Sequence, residues 1–303
     1  MALPNKIVKF KSQVDNSLND KNNCPWILKE NVYNKNGTKL YDISHNPDKI
    51  LTLETINELN KKDWIMKVSE DNRCRDEINI INELKLYDCS YCINFPRFNY
   101  YRYGQIYKSW WYVLEKYDSS ISKDLIYCQN NIKQLGFQII SFFEWLHLKG
   151  KVHGDVKSDN IVLRKRDNSF RMIDFESVKE PTKHMCYEDL PNGYYYYGLG
   201  CEYDKPNFSY RMDLESFGFI LWNILLYSSE VSGFSWQRYA FNLYNKGKTS
   251  NYFNALETEK KYNLLEKEKP EIIEKYFSII SKSGWFDKYA NPHVYIELKN
   301  LFC

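Results

Sequence analysis

The sequence contains little glycine and proline, with 12 Gly and 9 Pro in 303 residues, and it has no long apolar run. Its longest such run, residues 217–227, is interrupted by Asn223 and is shorter than the ~20 residues that a membrane-spanning helix needs. The start, MALPNKIVKFKSQ, lacks the apolar core and small-residue cleavage site of a secretory signal. We therefore expect a cytosolic or nuclear protein that is not secreted and binds no membrane.

A strong charge of one sign is also missing, because 42 Lys and Arg against 39 Asp and Glu leave a formal net charge of +3. A dedicated nucleic-acid binder would show a concentrated basic face, so no direct nucleic-acid binding is expected. Among the eight cysteines only Cys89 and Cys92 have the C-x-x-C spacing, and no second pair or His pair lies at zinc distance. Reduced thiols are the favoured interpretation.

The distribution of strand-like and helical segments divides the chain into three parts. Residues 1–22 are polar and aperiodic, and predict an N-terminal arm. Residues 23–118 contain short strand-like runs and one helical stretch; the runs are 26–28, 39–43, 64–68 and 110–114, and the helix is 75–86.

Residues 119–303 are mainly helical. Apolar residues recur at helical spacing in four segments: 134–149, 214–226, 271–281 and 293–301. A small β-rich part followed by a larger helical part predicts an α+β fold with two lobes, an N-lobe and a C-lobe, and a ligand cleft between them. We expect one catalytic domain, residues 23–303, in a monomer.

The residues that carry chemistry lie in Val152-His-Gly-Asp-Val-Lys-Ser-Asp-Asn160, followed by Met172-Ile-Asp-Phe-Glu176. Phosphoryl transfer needs positioning, charge neutralisation and a group that orients the attacking hydroxyl. Asp155 can accept the hydroxyl proton, and Lys157 can neutralise charge on the moving phosphoryl group. Asn160 and Asp174 provide hard oxygen ligands that suit Mg²⁺ on ATP phosphates. This composite pattern is highly specific.

These segments identify the chain as similar to the protein kinase superfamily over about residues 26–302. Within it the chain resembles the casein-kinase-one group, nearest the vaccinia-related and poxviral serine/threonine kinase branch. That resemblance rests on residues 192–218, which include Arg211-Met-Asp-Leu-Glu-Ser-Phe-Gly218, on Phe234-Ser-Trp236, and on the closing stretch 286–302. It implies a serine/threonine protein kinase that transfers the γ-phosphate of ATP to a protein hydroxyl, with Asp155 as base.

The resemblance also implies how ATP is held. Lys67 stands where the family has the lysine that binds the α- and β-phosphates, and Glu77 where a helix glutamate pairs with it, although Glu83 competes for that role. Further positions would contact the nucleotide: Gly37 in the phosphate-covering loop, Leu114 as gatekeeper, the backbone of Glu115 to Tyr117 at the adenine, and Val162 beneath the adenine ring.

Three residues are implied to support the site structurally. Asp213 would accept backbone hydrogen bonds from the catalytic loop, and His153 and Phe175 would stack in the apolar column that joins the lobes. Gly154 replaces an arginine that binds an activation-loop phosphate in many kinases. We therefore expect activity that needs no activating phosphorylation.

Two departures from the family pattern leave alternatives open. The loop over the phosphates, residues 33–41, contains only Gly37, and the glycine that normally follows Asp174-Phe175 is Glu176. One alternative is a pseudokinase that acts as a binding or scaffold protein. Another is a small-molecule kinase similar to the choline and aminoglycoside phosphotransferases. Lys157 and the segment beginning at Asp213 favour a protein substrate.

Overall fold

The computed structural model describes residues 26–35, 38–45, 62–69, 73–96, 103–106, 109–182, 209–226, 270–282 and 290–303. The chain divides into two compact units, Met1–Tyr117 and Asp118–Cys303. Within the described ranges, no helix is both long and apolar enough to cross a bilayer.

The first unit is built on a five-stranded antiparallel sheet in the order β1-β2-β3-β5-β4. Its strands are β1 (Trp26–Lys35), β2 (Thr38–His45), β3 (Trp64–Ser69), β4 (Tyr103–Ile106) and β5 (Ser109–Glu115). Side chains alternate between the faces of a strand, so Trp64 and Met66 point to the face opposite that of Lys67. The core on that face is an apolar cluster of Trp26, Ile43, Trp64, Met66, Trp111 and Val113.

One α-helix of this unit, α1 (Arg73–Leu84), places a single face against the protein. Its buried residues recur at helical spacing and are Cys74, Glu77, Ile78, Ile81 and Leu84. The helix ends where Lys85 adopts a positive φ of 53°. The sequence predicted a helix over 75–86, but Leu86 instead begins a 3₁₀ turn, Leu86–Asp88, because a left-handed residue terminates an α-helix.

The second unit combines a small antiparallel sheet with helices. Its strands are β6 (Ser119–Ser120), β7 (Ile161–Arg164) and β8 (Ser169–Met172), and its described α-helices are α2 (Leu125–Asn130), α3 (Ile132–Leu148), α4 (Tyr210–Leu225), α5 (Glu271–Ile280) and α6 (Pro292–Asn300). Helices α3 and α6 pack together, as do α4 and α5. The α+β class predicted from the sequence is therefore confirmed.

Helix α4 is the core helix of this unit, since nearly every residue from Tyr210 to Trp222 is buried. The Ser209 side chain caps its first turn by accepting a hydrogen bond from the Met212 amide at 3.4 Å. An apolar helix surface all round is typical of a helix enclosed by others. This placement buries Asp213 completely, and a buried carboxylate needs hydrogen-bond partners.

Candidate active site

Lys67 and Glu77 form an ion pair in the first unit. Lys67 Nζ on β3 donates to Glu77 Oε2 on α1 at 2.7 Å, and the two side chains are 13% and 0% exposed. The ammonium group also lies 5.8 Å from the ring centroid of Tyr112. Glu83, the other glutamate considered for this pair, is exposed. The pair therefore fixes a single cationic group on the face of β3 opposite the apolar core.

The end of β5 is held by several bonds around Glu115, which is 1% exposed. Its carboxylate accepts from Lys62 Nζ at 3.3 Å and from the Asn94 side chain, and its backbone amide donates to Asn94 O at 2.8 Å. Tyr117 is buried and Leu114 is half-buried. These contacts fix the start of the segment Glu115 to Tyr117, whose backbone the family resemblance assigns to adenine binding.

Several hydrogen bonds hold the loop that carries Asp155. Asp155 Oδ2 accepts from Lys157 Nζ at 2.5 Å and from Asn160 Nδ2 at 2.8 Å. Asn160 Nδ2 also donates to the backbone oxygen of Asp155 at 2.9 Å. The 3₁₀ turn Ser158–Asn160 makes this geometry possible, because it folds Asn160 back towards Asp155.

Burial opposes the charge on Lys157, but the neighbouring carboxylates, with Asp155 the foremost, together outweigh it and raise the pKa of Lys157 above its ordinary value. The lysine therefore stays a cation, and it is 24% exposed beside the 8% exposed Asp155 side chain. A fixed cation next to a carboxylate oxygen is suited to bind a dianionic group that approaches that carboxylate.

Asp213 fixes the backbone immediately before Asp155. Its Oδ2 accepts from the His153 amide at 2.6 Å, and its Oδ1 accepts from the Gly154 amide at 2.9 Å. Gly154 has a positive φ of 78°, a conformation that residues with a Cβ rarely adopt. Two backbone bonds to one buried carboxylate therefore set the direction in which the chain enters Asp155.

His153 is fully buried, and this burial lowers the pKa of its imidazole below the ordinary value. In the neutral ring, Nδ1 accepts from the Asp155 amide at 3.3 Å and Nε2 donates to Ile173 O at 3.2 Å. The sequence assigned His153 to packing alone. The structure adds two hydrogen bonds, which join the Asp155 loop to the residue before Asp174.

Phe175 packs beside His153 at a ring-centroid distance of 5.8 Å, and both rings contact Phe142 of α3. Asp174, just before it, has a φ of 68°. Aspartate is enriched among the non-glycine residues that adopt this conformation, and such residues cluster at active sites. Ile173 N also donates to Asn160 O at 2.9 Å, which ties this segment to the Asp155 loop.

Glu176 does not have the unusual backbone that a glycine replacement suggests. Among the described residues, the non-glycine positions with positive φ are Lys85, Asn168 and Asp174. Glu176 therefore takes an ordinary conformation, and its side chain is exposed. The substitution costs no backbone strain at this position.

Two other positions complete the sequence-predicted set. Val162 is half-buried on β7, paired with Ser120 and Arg171. Gly37 lies outside the described residues, and so do Asn192 to Tyr197 and Phe234 to Trp236.

Residues 40–279 of the chain match the protein kinase domain family. The chain belongs to the protein kinase domain family. The matched range includes both the Lys67–Glu77 pair and the loop around Asp155. Over 94 residues, the chain is also 29% identical to the probable casein kinase II subunit alpha homolog of Encephalitozoon cuniculi (strain GB-M1). That segment covers 31% of this chain and 30% of the relative.

The protein kinase superfamily predicted from the sequence is thus confirmed, and the casein-kinase-one group stays a prediction. The structure describes part of the segments that carry the resemblance to this group, namely Arg211 to Gly218 and residues 290–302.

The magnesium that a kinase domain implies can be tested against the side chains present. Among the described residues, no three His, Cys, Asp or Glu side chains cluster as a metal site. Mg²⁺ needs no such cluster when one or two protein oxygens and substrate phosphates hold it. Because Asn160 Nδ2 makes both of its bonds to Asp155, the amide is oriented with Oδ1 on its other side, available as a ligand. The donor chemistry of Asn160 and Asp174 therefore fits magnesium.

Two residues that the sequence did not single out, His147 and Tyr295, extend the hydrogen bonds around Asp213. His147 Nε2 lies 2.9 Å from Asp213 Oδ2, and His147 Nδ1 lies 2.6 Å from the hydroxyl of Tyr295. The helical pattern of 134–149 could have indicated His147 as buried. No local pattern points to Tyr295, which is 148 positions away in the chain.

Proposed function

We propose that this kinase domain is an active serine/threonine protein kinase that transfers the γ-phosphate of ATP to a protein hydroxyl. The observation that carries the proposal is the arrangement of Lys157 and Asn160 around one oxygen of Asp155. A decayed site has no need to keep a buried carboxylate, a cation and an amide in mutual contact.

In the proposed reaction, the substrate hydroxyl oxygen attacks the γ-phosphorus, and the bond from that phosphorus to the β–γ bridging oxygen breaks. The hydroxyl proton passes to Asp155, and ADP leaves with the bridging oxygen. Lys157 stabilises the negative charge on the moving phosphoryl group, and Lys67, held by Glu77, binds the α- and β-phosphates. Magnesium on Asn160 and Asp174 would neutralise phosphate charge.

Serine or threonine specificity is supported by Lys157, which resembles the lysine two residues after the catalytic aspartate in that class. The relative named a probable casein kinase II subunit alpha homolog supports a protein substrate, over the part that it matches. The casein-kinase-one and poxviral branch is likewise part of the proposal. The monomeric state, the lack of nucleic-acid binding and a cytosolic or nuclear location stay predictions.

The test is transfer of radiolabelled phosphate from ATP to casein and to the protein itself, for wild type and Asp155→Asn. Removal of a positioned base is expected to slow transfer about 10²–10⁴-fold. Asp159→Asn is the matched control, because Asp159 lies in the same loop but is exposed, and its carboxylate accepts from Ser122. Acid hydrolysis of the labelled product should yield phosphoserine or phosphothreonine.

A pseudokinase is the second candidate, and Glu176 favours it by adding a negative charge near the predicted metal ligands. It predicts that ATP raises the melting temperature while wild type and Asp155→Asn show equal, negligible transfer. Label on choline or an aminoglycoside in place of casein would instead indicate a small-molecule kinase.

A further inference from the structure

The segment formed by α6 and the two residues after it is joined to α3 by three different contacts. Lys299 forms an ion pair with Glu144 at 2.7 Å. The Phe302 ring lies against Gly136 so closely that a Cβ there would be 2.3 Å from the ring. The third contact, at 2.6 Å, joins the Tyr295 hydroxyl to His147 Nδ1. Of the three, this is the one that continues to Asp213.

The hydrogen bonds from Tyr295 form an unbroken, buried series that ends beside Asp155. Tyr295 contacts His147, His147 Nε2 contacts Asp213 Oδ2, and the two Asp213 oxygens accept the amides of His153 and Gly154. Tyr295 and His147 are each 1% exposed and Asp213 is 0% exposed, so water cannot replace a missing partner without cost.

The direction of the bonds is consistent along the series. An imidazole that donates its Nε2 hydrogen to the Asp213 carboxylate presents a lone pair at Nδ1, which accepts from the Tyr295 hydroxyl. Burial raises the pKa of Tyr295 well above its ordinary value, so the hydroxyl keeps the proton that it donates.

Packing alone does not fix the orientation of the His147 ring. Phe143 stacks on it at 5.4 Å, and Tyr210 lies 5.0 Å away, and these contacts hold the ring plane. A flip of 180° about the Cβ–Cγ bond keeps that plane but exchanges ring nitrogens with ring carbons. Hydrogen bonds at both nitrogens must therefore select the orientation that places Nε2 at Asp213.

We propose that Tyr295 is a positioning residue for phosphoryl transfer: its hydroxyl sets the orientation of His147 and, through Asp213, the catalytic-loop backbone that presents Asp155. The proposal rests on the kinase activity proposed above. Its consequence is that the terminal helix α6 contributes to turnover without contacting the nucleotide.

The test compares Tyr295→Phe with Tyr276→Phe. Tyr276 is a matched control because it is also fully buried and its hydroxyl makes a 2.7 Å bond, but to the backbone oxygen of Leu214. Both variants lose one buried hydroxyl bond and should lower the melting temperature by similar amounts. Only Tyr295→Phe should lower kcat, by about 3- to 30-fold, as expected for one buried hydrogen bond, with the KM for ATP unchanged.

A second measurement does not depend on activity. Amide hydrogen exchange at His153 and Gly154 should be faster in Tyr295→Phe than in wild type, and unchanged in Tyr276→Phe. If wild type transfers no phosphate, the proposed function fails, but the exchange rates still test the positioning role. Equal effects of the two variants on kcat and on exchange would overturn the proposal.

A double-mutant cycle tests the route through His147. In a His147→Leu background, Tyr295→Phe should cause no further change in kcat or exchange, because the partner of the hydroxyl is already gone. Fully additive losses would contradict a route through His147. If His147→Leu does not fold, the comparison of Tyr295→Phe with Tyr276→Phe decides alone.

Discussion

The Gly154 amide donates to Asp213 Oδ1 at 2.9 Å while Gly154 itself has a φ of 78°. The two facts are linked, because the left-handed backbone is the conformation in which that amide is held against the buried carboxylate. The next residue is Asp155, so any side chain at position 154 must strain the backbone beside the proposed base.

Replacing Gly154 by alanine is therefore expected to cost both stability and turnover. A left-handed residue with a Cβ costs about 1–2 kcal/mol. Gly150→Ala is the matched control, because Gly150 has a φ of 75° and its Cβ would meet nothing within 4 Å. Urea unfolding should give similar losses for both. Only Gly154→Ala should lower kcat, by about 10–100-fold, as a shifted catalytic group does. Equal kcat in the two variants would contradict the prediction.

Glu77→Gln should weaken the use of ATP, since it removes the carboxylate that holds Lys67 at 2.7 Å. Truncation of one partner of a buried ion pair costs about 2 kcal/mol or more, so kcat/KM for ATP should fall about 30-fold or more. Glu83→Gln, on the exposed side of the same helix, should leave kcat/KM unchanged. Initial rates at varied ATP concentration measure kcat/KM for both variants. An equal loss of kcat/KM in both would contradict a specific role of Glu77 in holding Lys67.

Asp174→Asn should raise the magnesium concentration that gives half-maximal transfer by about 10-fold or more, because an anionic oxygen ligand becomes neutral. Chelation with EDTA should abolish transfer by wild type. Asp159→Asn removes the same charge nearby and should need no extra magnesium. An unchanged magnesium requirement in Asp174→Asn would exclude Asp174 as a ligand.

His153 should make the protein less stable in mild acid. Burial lowers its folded-state pKa below the ordinary 6.5, so the unfolded chain binds this proton more readily. The contribution of neutral His153 to the free energy of unfolding is complete above about pH 6.5. It is lost as the pH falls towards the folded-state pKa, by at most about 1.4 kcal/mol per pH unit.

Urea unfolding between pH 7.5 and 5.5 measures this slope, which should be shallower in His153→Leu. Asp167 does not account for it, because the Arg164 side chain holds the pKa of that carboxyl at about 2, far below this window. An identical slope in the variant would show that His153 is not responsible.

Turnover should need no phosphate in the segment between Ser177 and Tyr197, since Gly154 replaces the arginine that would bind one. Removal of every hydroxyl there is expected to leave kcat within about twofold. The comparison is with phosphatase-treated wild type. A loss that only an acidic residue restores would contradict this prediction.

Periodicity predicted most element positions because it depends on neighbours in the chain. The helix predicted over 134–149 occupies Ile132–Leu148, and that predicted over 293–301 occupies Pro292–Asn300, after Asn291 caps it. The strand predicted over 26–28 extends to Lys35, because pairing with β2 continues beyond the apolar residues. The hydrogen-bond partners of a strand lie on another segment of the chain, so the local sequence pattern underestimates the length of the strand.

The residues of the candidate site likewise divide into those that a local sequence pattern predicts and those that depend on distant partners. The spacing of Asp155, Lys157 and Asn160 is local, and a short turn is enough to bring them together. The choice between Glu77 and Glu83 stayed open in the sequence, although the apolar spacing of Ile78, Ile81 and Leu84 already placed Glu77 on the buried face.

The resemblance to protein kinases follows from local motifs, and the α+β class follows from periodicity along short segments, so both could be predicted from the residues. The contacts of His147 with Asp213 and Tyr295 could be known only from the folded protein. Asp213 lies 66 positions away on α4 and Tyr295 lies 148 positions away on α6, and the packing of both helices against α3 brings them to His147. Contacts between distant segments depend on the packing of whole helices, which no single stretch of sequence specifies.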